Sequence, residues 1–500
     1  MARSVFARLS RRFGHSANAV TRRGFLKASL AATSGLLLSD LAGCSTDQGG
    51  QFKPAADAKH IAIIGAGFAG LACGYELMSA GYRVTLVDPR SRVGGRVFSS
   101  QSLVPGKNVE LGGELIGSNH PMWVAYKEKF GLEFIDVTED ETLEMPIILG
   151  GKSLDEKQAE AMWEEMDAAF ATLNKLAEPI DADQPWLSPE GPVIDATPLS
   201  DWWRKLEVSD ITRVALKAQL ASDNAVELEQ QSTLAMLASI KGGGGEAYWT
   251  ESEVYRCNGG NQQLATKLAS AIGMQNIRLK RAATSIKESA TGVTITCSDG
   301  SQILADEVVL AVPPSVWSKI TIDPALPDAI KPQMGIAVKH LSALKSRFWK
   351  EKGQSPDSLT DGAISQTWEA TDNQPGDSGA ALVAFSGGDV AKSDRSHKSK
   401  DALNDHYRKT LEARYPGYSE QLITTMMMDW PGDPWTLGGY SFPAPGQVMS
   451  AGKTLRDGRG KMHFAGEHTC FKFVGYMEGG LSSGAELAKR MAVRDGVIKG

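Results

Sequence analysis

The apolar and polar positions of this chain fall into short blocks whose periods predict alternating strands and helices. His60-Ile61-Ala62-Ile63-Ile64 is a continuous apolar run, the pattern of a strand buried on both faces of a parallel sheet. A glycine-rich turn follows, then a helical stretch to Ala80, then a second apolar run from Tyr82 to Val87 that stops at Asp88. Together they predict a strand–helix–strand unit. In residues 155–176 the apolar positions Ala159, Met162, Met166, Ala169, Leu173 and Leu176 recur at helical spacing. That period predicts an amphipathic helix, with Trp163 and Phe170 in its core-facing stripe. Residues 293–297 read as a strand, closed by the turn Ser298-Asp299-Gly300. The Ala and Leu spacing of residues 481–491 is again helical. Lys241-Gly242-Gly243-Gly244-Gly245 reads as a loop, either the mobile edge of an entrance or, the favoured reading, plain linker. No internal repeat is visible.

Glycine spacing adds chemistry to the first unit. In Gly65-Ala66-Gly67-Phe68-Ala69-Gly70, Gly65 permits the tight turn and Gly67 lets the backbone approach a pyrophosphate. Gly70 allows close helix–strand packing, and the helix N-terminus faces the anion. Asp88, 23 positions after Gly65, is placed to accept hydrogen bonds from a ribose diol, which disfavours a 2′-phosphate. Strand, helix, second strand and acid in this order predict a dinucleotide site. Arg92-Val93-Gly94-Gly95-Arg96 offers a second close backbone approach, with Arg96 able to neutralise a diphosphate; a surface turn with a solvated Arg is the alternative. Leu111-Gly112-Gly113-Glu114-Leu115-Ile116-Gly117 is a third such approach. Gly475-Tyr476-Met477-Glu478-Gly479-Gly480 opens the last predicted helix with free N–H groups and a positive dipole end; the backbone at Met477 carries this, not its side chain.

Composition narrows the classes further. The chain has 500 residues, 42% hydrophobic and 22% charged, which excludes a disordered chain, a collagen and a multi-span membrane protein. Five cysteines without a CxxC pair exclude a disulfide scaffold and a zinc module. The formal charge of -6 is unevenly spread. Residues 1–43 carry Arg3, Arg8, Arg11, Arg12, Arg22, Arg23 and Lys27 against Asp40 alone, so the remainder stands at -12. A surface that acidic is unsuited to nucleic acid. Thr21-Arg22-Arg23-Gly24-Phe25-Leu26-Lys27 matches the twin-arginine (Tat) export pattern, and the apolar run of residues 28–38 is too short to span a bilayer. Leu41-Ala42-Gly43-Cys44 has the form of a lipoprotein processing box. The expectation is a Tat signal peptide over 1–43, lipidation of Cys44 with membrane contact through it, and a flexible tether over 44–58; plain cleavage nearby is the alternative. The mature chain is then a periplasmic or cell-envelope lipoprotein that meets the Tat export machinery on its way out.

With these motifs in place the sequence resembles the flavin monoamine oxidase family, which includes polyamine oxidases and L-amino-acid oxidases. The likeness runs from about Lys59 to Met491. Besides the three glycine motifs it includes Asn258-Gly259-Gly260-Asn261-Gln262-Gln263-Leu264, Ala305-Asp306-Glu307-Val308-Val309-Leu310-Ala311-Val312-Pro313-Pro314, Phe464-Ala465-Gly466-Glu467-His468-Thr469 and the closing glycine segment. The resemblance implies an α/β fold. A discontinuous Rossmann-like FAD-binding domain over 59–119, 255–322 and 430–491 interleaves with an α+β substrate-binding domain over 120–254 and 323–429. It implies noncovalent FAD, held by Gly65, Gly67, Ala69, Gly70, Asp88, Gly95, Arg96, Gly112, Gly113, Glu114, Leu115, Ala283, Glu467 and Met477, and no metal.

It also implies the reaction: a primary amine, polyamine or L-amino acid is oxidised to an imine by hydride transfer to flavin N5, and O2 is reduced to H2O2. The protein's part is to orient a neutral amine and exclude competing chemistry. Tyr440 and Tyr476 match the family's paired aromatic wall, and Lys339 matches the lysine that holds a water at N5; His340 or Lys345 could instead be the inward residue. Glu467 falls by resemblance near the ribityl-diphosphate, the alternative for Glu467-His468 being a salt-bridged surface pair. Glu114 either attracts a substrate ammonium or is tied to backbone N–H groups near the flavin. Two departures matter. Gly439 stands where some members carry the cysteine that tethers FAD, and Leu115 stands where venom-type L-amino-acid oxidases carry a carboxylate-gripping arginine. The alternatives are an FAD-dependent dehydrogenase or desaturase-like flavoprotein serving a quinone or periplasmic carrier, and a non-catalytic FAD-binding lipoprotein.

Overall fold

The strand at His60–Ile64 is the middle of a five-stranded sheet, because its residues from Ile61 on are apolar and buried on both faces. In the computed structural model, which describes residues 5–14, 26–30, 52, 54, 57–138, 143–376 and 379–499, this sheet runs Met462–Phe464, Glu307–Leu310, His60–Ile64, Arg83–Asp88, Ile277–Leu279. All four pairings are parallel. The helix Phe68–Ser79 is buried along its whole length, packed between the sheet, the helix Gln262–Ile272 and the closing helix Met477–Arg494. That explains its run of small and apolar residues, which would be unusual for a surface helix; its one buried acid, Glu76, accepts from the Tyr126 hydroxyl (2.9 Å). Ile61, Leu71 and Leu86 are fully buried there, each stabilising the fold by about 1.5–3 kcal/mol.

A second sheet of seven strands stands apart, in the order Leu422–Met428, Ala337–Leu344, Ala380–Gly387, Gln366–Glu369, Ser358–Thr360, Ile147–Leu149, Lys152–Ser153. Its central strands Ala337–Leu344 and Ala380–Gly387 are buried at every position, with Lys339 directly opposite Phe385. A four-stranded sheet carries the strand Gly292–Cys297, which pairs with Gln302–Ala305 across the expected turn. The α/β architecture with a Rossmann-like parallel sheet is therefore as expected from sequence.

The helix expected over 155–176 spans Glu156–Ala177 and is opened by a reciprocal capping box between Asp155 and Gln158. Its stripe is buried from Ala159 to Leu173, but Leu176 is half exposed: in the last turn the inward position passes to Ala177. Lys241 and Gly242 are not loop, since they complete the helix Thr233–Gly242. A Cβ on Gly242 would lie 2.7 Å from the Lys472 carbonyl oxygen, so this segment is a tight contact rather than a mobile edge. Arg22, Arg23 and Cys44 lie outside the described residues. The helix Val5–Phe13, ahead of the twin-arginine pattern, is described and packs into the core against the helices Glu156–Ala177 and Glu246–Glu251. Among the described residues no helix is long and apolar enough to cross a membrane.

Candidate functional site

The glycine-rich turn is built by exclusion of side chains. Gly65 has φ +111°, and a Cβ there would lie 2.6 Å from the Ala311 carbonyl oxygen; one at Gly70 would lie 2.0 Å from the Gly65 carbonyl oxygen. Gly67 differs: the nearest atom to a Cβ is Gly95 Cα at 3.9 Å, so the bare backbone there leaves room for a ligand rather than for protein. The Gly94 N–H donates to the Ala66 carbonyl (2.8 Å), which lays the second glycine motif on the first. Asp88 accepts from the N–H groups of Ala66 and Arg90, both at 2.9 Å, which aligns its carboxylate at the turn; burial pushes its pKa up.

These groups line a cleft of about 1640 Å³, its open mouth included. Gly65, Gly67, Ala69, Asp88, Gly95, Arg96, Gly112, Gly113, Glu114, Leu115, Ala283, Lys339, Tyr440, Glu467, Tyr476 and Met477 all line it. Of the expected site residues, Gly70 is set behind the wall, in contact with the turn, and Cys44 is outside the described residues. The helices Phe68–Ser79 and Met477–Arg494 both begin at the cleft without a side-chain cap, so two helix N-termini present their N–H groups to it. His468 is buried on the same wall with neither ring nitrogen hydrogen-bonded, and burial lowers its pKa to about 4. An elongated cleft with a bare turn, an acid at the strand end and two uncapped helix starts fits a flavin dinucleotide.

Glu467 is buried and paired with Arg96 (2.9 Å), not part of a surface pair with its neighbour. It also accepts from the Gly475 N–H (2.9 Å) and from Ser441. Burial alone would raise its pKa, but Arg96 and these donors hold it below the usual carboxylate range. Through Glu467 the segments around Arg96, Ser441 and Gly475 are locked to one another.

Lys339 is the inward residue of its strand. Its Nζ donates to Glu114 Oε2 (2.6 Å) and the Gly112 carbonyl (2.9 Å) and sits 5.5 Å above the Trp368 ring. His340 points to the other face and stacks on Tyr407 at 4.2 Å, and Lys345 donates to the Glu420 carbonyl; neither lines the cleft. Both readings of Glu114 need correction. Its other oxygen accepts from Arg256 Nε (2.9 Å) and Trp368 Nε1 (2.9 Å), so the carboxylate is held by three side chains instead of backbone N–H groups and is not free to receive an ammonium. Burial works against its charge, yet Lys339 and Arg256 bring its pKa down to about 2. Arg256 continues the network to Asp372 and to the Glu369 carbonyl, and Glu369 pairs with Arg347 at 2.6 Å.

The end of the cleft that abuts the seven-stranded sheet is aromatic and acidic. Tyr440 and Tyr476 line it with Phe385 and Glu253. The Tyr440 hydroxyl donates to the Asp223 carbonyl (2.8 Å), and the Tyr476 ring meets His120 edge-on at 5.1 Å. Burial pushes both phenols well above their ordinary pKa, so both stay protonated at neutral pH. The two arginines on the cleft are engaged elsewhere, Arg90 with Asp433 and Arg96 with Glu467. No cysteine lines the cleft among the described residues, and Cys73, Cys257, Cys297 and Cys470 are all buried thiols. Sequence reasoning missed Glu253, Arg256, Trp368 and Asp372. Arg256, Trp368 and Asp372 have partners more than 100 residues away, and Glu253 is marked only by the cavities it lines; no local spacing signals them, although a charged residue in the strand Tyr255–Cys257 was a signal that something must pair with it.

The family description "Flavin containing amine oxidoreductase" matches residues 68–492. A probable flavin-containing monoamine oxidase A of Dictyostelium discoideum is 25% identical over 86% of this chain and 97% of its own length. An L-amino acid dehydrogenase of Synechocystis is 23% identical over 85% and 93%. The structure of cyclohexylamine oxidase from Brevibacterium oxydans superposes with a TM-score of 0.77 at 24% identity, covering 88% of this chain and 100% of that one. That likeness is one of fold.

Proposed function

The chain belongs to the flavin-containing amine oxidoreductases, whose cofactor is FAD, and on that premise we propose that it oxidises a cationic amine, a primary amine or polyamine, using O2. The net reaction is amine, oxygen and water to aldehyde, ammonia and hydrogen peroxide. When bound, FAD takes two electrons from the substrate C–N bond and passes them on; the chain's own residues do the rest. The observation that carries the reading is the composition of the cleft end near Tyr476: Glu253, Tyr440, Tyr476 and Phe385, with both cleft arginines already paired elsewhere. A carboxylate and aromatic faces attract an ammonium, whereas an α-amino acid also needs a cation for its carboxylate. Lys339 does not supply that cation freely, because Glu114 neutralises it.

In this reading the tyrosine pair confines the amine between rings and Glu253 draws it in. Lys339, fixed by Glu114 and the Gly112 carbonyl, donates a hydrogen bond to the water or oxygen species at the redox centre. Gly439 and the absence of a cysteine on the described cleft wall support noncovalent binding of FAD. Tat export and lipidation at Cys44 are proposed from the motifs at Arg22-Arg23 and Leu41-Ala42-Gly43-Cys44. Cell fractionation and the mass of the mature N-terminus test that part. For the site, Glu253→Gln is expected to raise KM for a cationic amine by ~10-fold with FAD content unchanged, the effect of losing one charge-assisted contact of about 1.4 kcal/mol. An unchanged KM removes Glu253 from substrate attraction.

A further inference from the structure

The helix Val5–Phe13 stands ahead of the export pattern, yet Val5, Phe6, Ala7, Arg8 and Leu9 are all buried. Phe6 meets Phe170 edge-on at 4.8 Å, and its N–H donates to Gln219 Oε1 (3.2 Å). Arg8 forms a buried ion pair with Asp357. Arg11 donates to the Thr250 carbonyl (3.3 Å), and Arg12 to Glu156 (2.7 Å) and the Leu143 carbonyl (3.0 Å). Nine residues do not hold a helix alone in water, so the docking contacts hold this one. A buried ion pair adds little net stability but penalises any other register, which makes Arg8–Asp357 a device that fixes where the helix sits.

Its position is what matters. Ala7 lines a smaller cavity together with Asp223, Tyr248, Glu253 and Tyr476. Glu253 and Tyr476 also line the main cleft, so the two spaces share a wall. The N-terminal helix therefore supplies part of the wall of a cavity that adjoins the cleft at Glu253 and Tyr476. It is cationic, and the residues around it are acidic. Arg8 pairs with Asp357 and Arg12 with Glu156, acids that stand outside the cleft itself.

We propose that Val5–Phe13 is a built-in plug: docked, it closes a route from the surface to Tyr476 and Glu253, and its loss with the leader opens that route. The occupant of this groove is the chain's own first segment, and the chain carrying residues 1–43 is the closed form. The purpose of the plug rests on the amine-oxidation reading; its geometry does not.

The test uses the full-length, FAD-loaded protein and the double variant Phe6→Asp, Arg8→Glu. Hydrogen exchange over Val5–Phe13 and Glu246–Glu251 reports whether the helix is released. Acrylamide quenching of flavin fluorescence reports access to the cleft, and amine kinetics report use of the route. Release is expected to steepen the quenching slope at least twofold, and to lower the apparent KM about tenfold if the open state is about one tenth populated in the parent. Should the variant fail to load FAD, a protease site placed within residues 15–20 and cut in the folded parent provides the same comparison. Released helix with unchanged quenching and unchanged KM overturns the proposal, as does a parent chain in which Val5–Phe13 exchanges freely. If no amine is oxidised by either form, the amine reading fails, while the quenching ratio still decides the plug.

Discussion

Glu114 accepts from Lys339, Arg256 and Trp368 at once, and this shared carboxylate sets what each residue does. Lys339→Met leaves Glu114 with Arg256 and Trp368, so the fold and FAD content should persist while flavin reoxidation by O2 slows by ~100-fold, the scale of a lost proton-donating group. Stopped-flow reoxidation of the reduced enzyme measures it, and an unchanged rate removes Lys339 from oxygen chemistry. Arg256→Met acts differently. It removes a buried cation shared by Glu114 and Asp372, leaving Glu114 to Lys339 and Trp368, and should destabilise the protein by about 3–5 kcal/mol, read as the shift in denaturant midpoint. Stability should also depend on pH through the buried imidazoles. Burial lowers His120 to about 3 and His340 and His468 to about 4, from an ordinary 6.5. Between about 4 and 6.5 the unfolded chain therefore binds more protons than the folded one. The stabilisation is complete above 6.5 and is lost as pH falls through that window. Melting temperatures at pH 4.5, 5.5 and 7 should fall in that order toward acid, and His468→Phe should flatten the slope. Lys339 could be picked from sequence because a lysine in an apolar stretch is locally odd. Arg256 signalled only that some partner must exist, and Glu253 signalled nothing, because what makes them significant is a partner or cavity brought in by the fold.

At the scale of elements, the strand–helix–strand unit was legible almost to the residue, since every determinant is local: apolar runs at His60–Ile64 and Arg83–Asp88, glycines at the turn, an acid at the strand end. The strand Ala337–Leu344 was not, because it is buried on both faces and carries Lys, His and Ser inward, which erases the two-residue period. Lys241-Gly242 misled in the opposite sense: four glycines in a row suggest a loop, but the absence of a side chain at Gly242 is what admits Lys472. The glycines themselves divide into two kinds, with distinct expectations. A Cβ at Gly484 would lie 2.2 Å from the Ala69 carbonyl oxygen, forcing the closing helix off the helix Phe68–Ser79, so Gly484→Ala should cost about 1–3 kcal/mol of stability. Gly67 has open space, so Gly67→Ala should leave the melting temperature of the FAD-free protein unchanged and weaken FAD binding alone. A common loss of stability in both variants would show that Gly67 serves packing.

Across the whole molecule, the parallel sheet draws its strands from three separated stretches of chain, and the cleft lies where that sheet's glycine turns face the seven-stranded sheet. Order of motifs made the parallel sheet readable; the seven-stranded sheet, assembled from pieces between Ile147 and Met428 with no motif of their own, was not. The first residues carried more than their charge suggested, since a segment readable only as an address also packs beside the cleft. The acidity of the remaining chain has its counterpart at the site, where, among the described residues, Glu253 meets the cleft and both cleft arginines are paired with acids. The most direct measurement of that claim is anaerobic bleaching of the bound flavin by matched pairs, an amine and its α-carboxylated analogue, phenethylamine against L-phenylalanine and cadaverine against L-lysine. The account predicts bleaching by the amine of a pair and not by its amino acid. Bleaching by the amino acids alone, or by neither member of any pair, would contradict it.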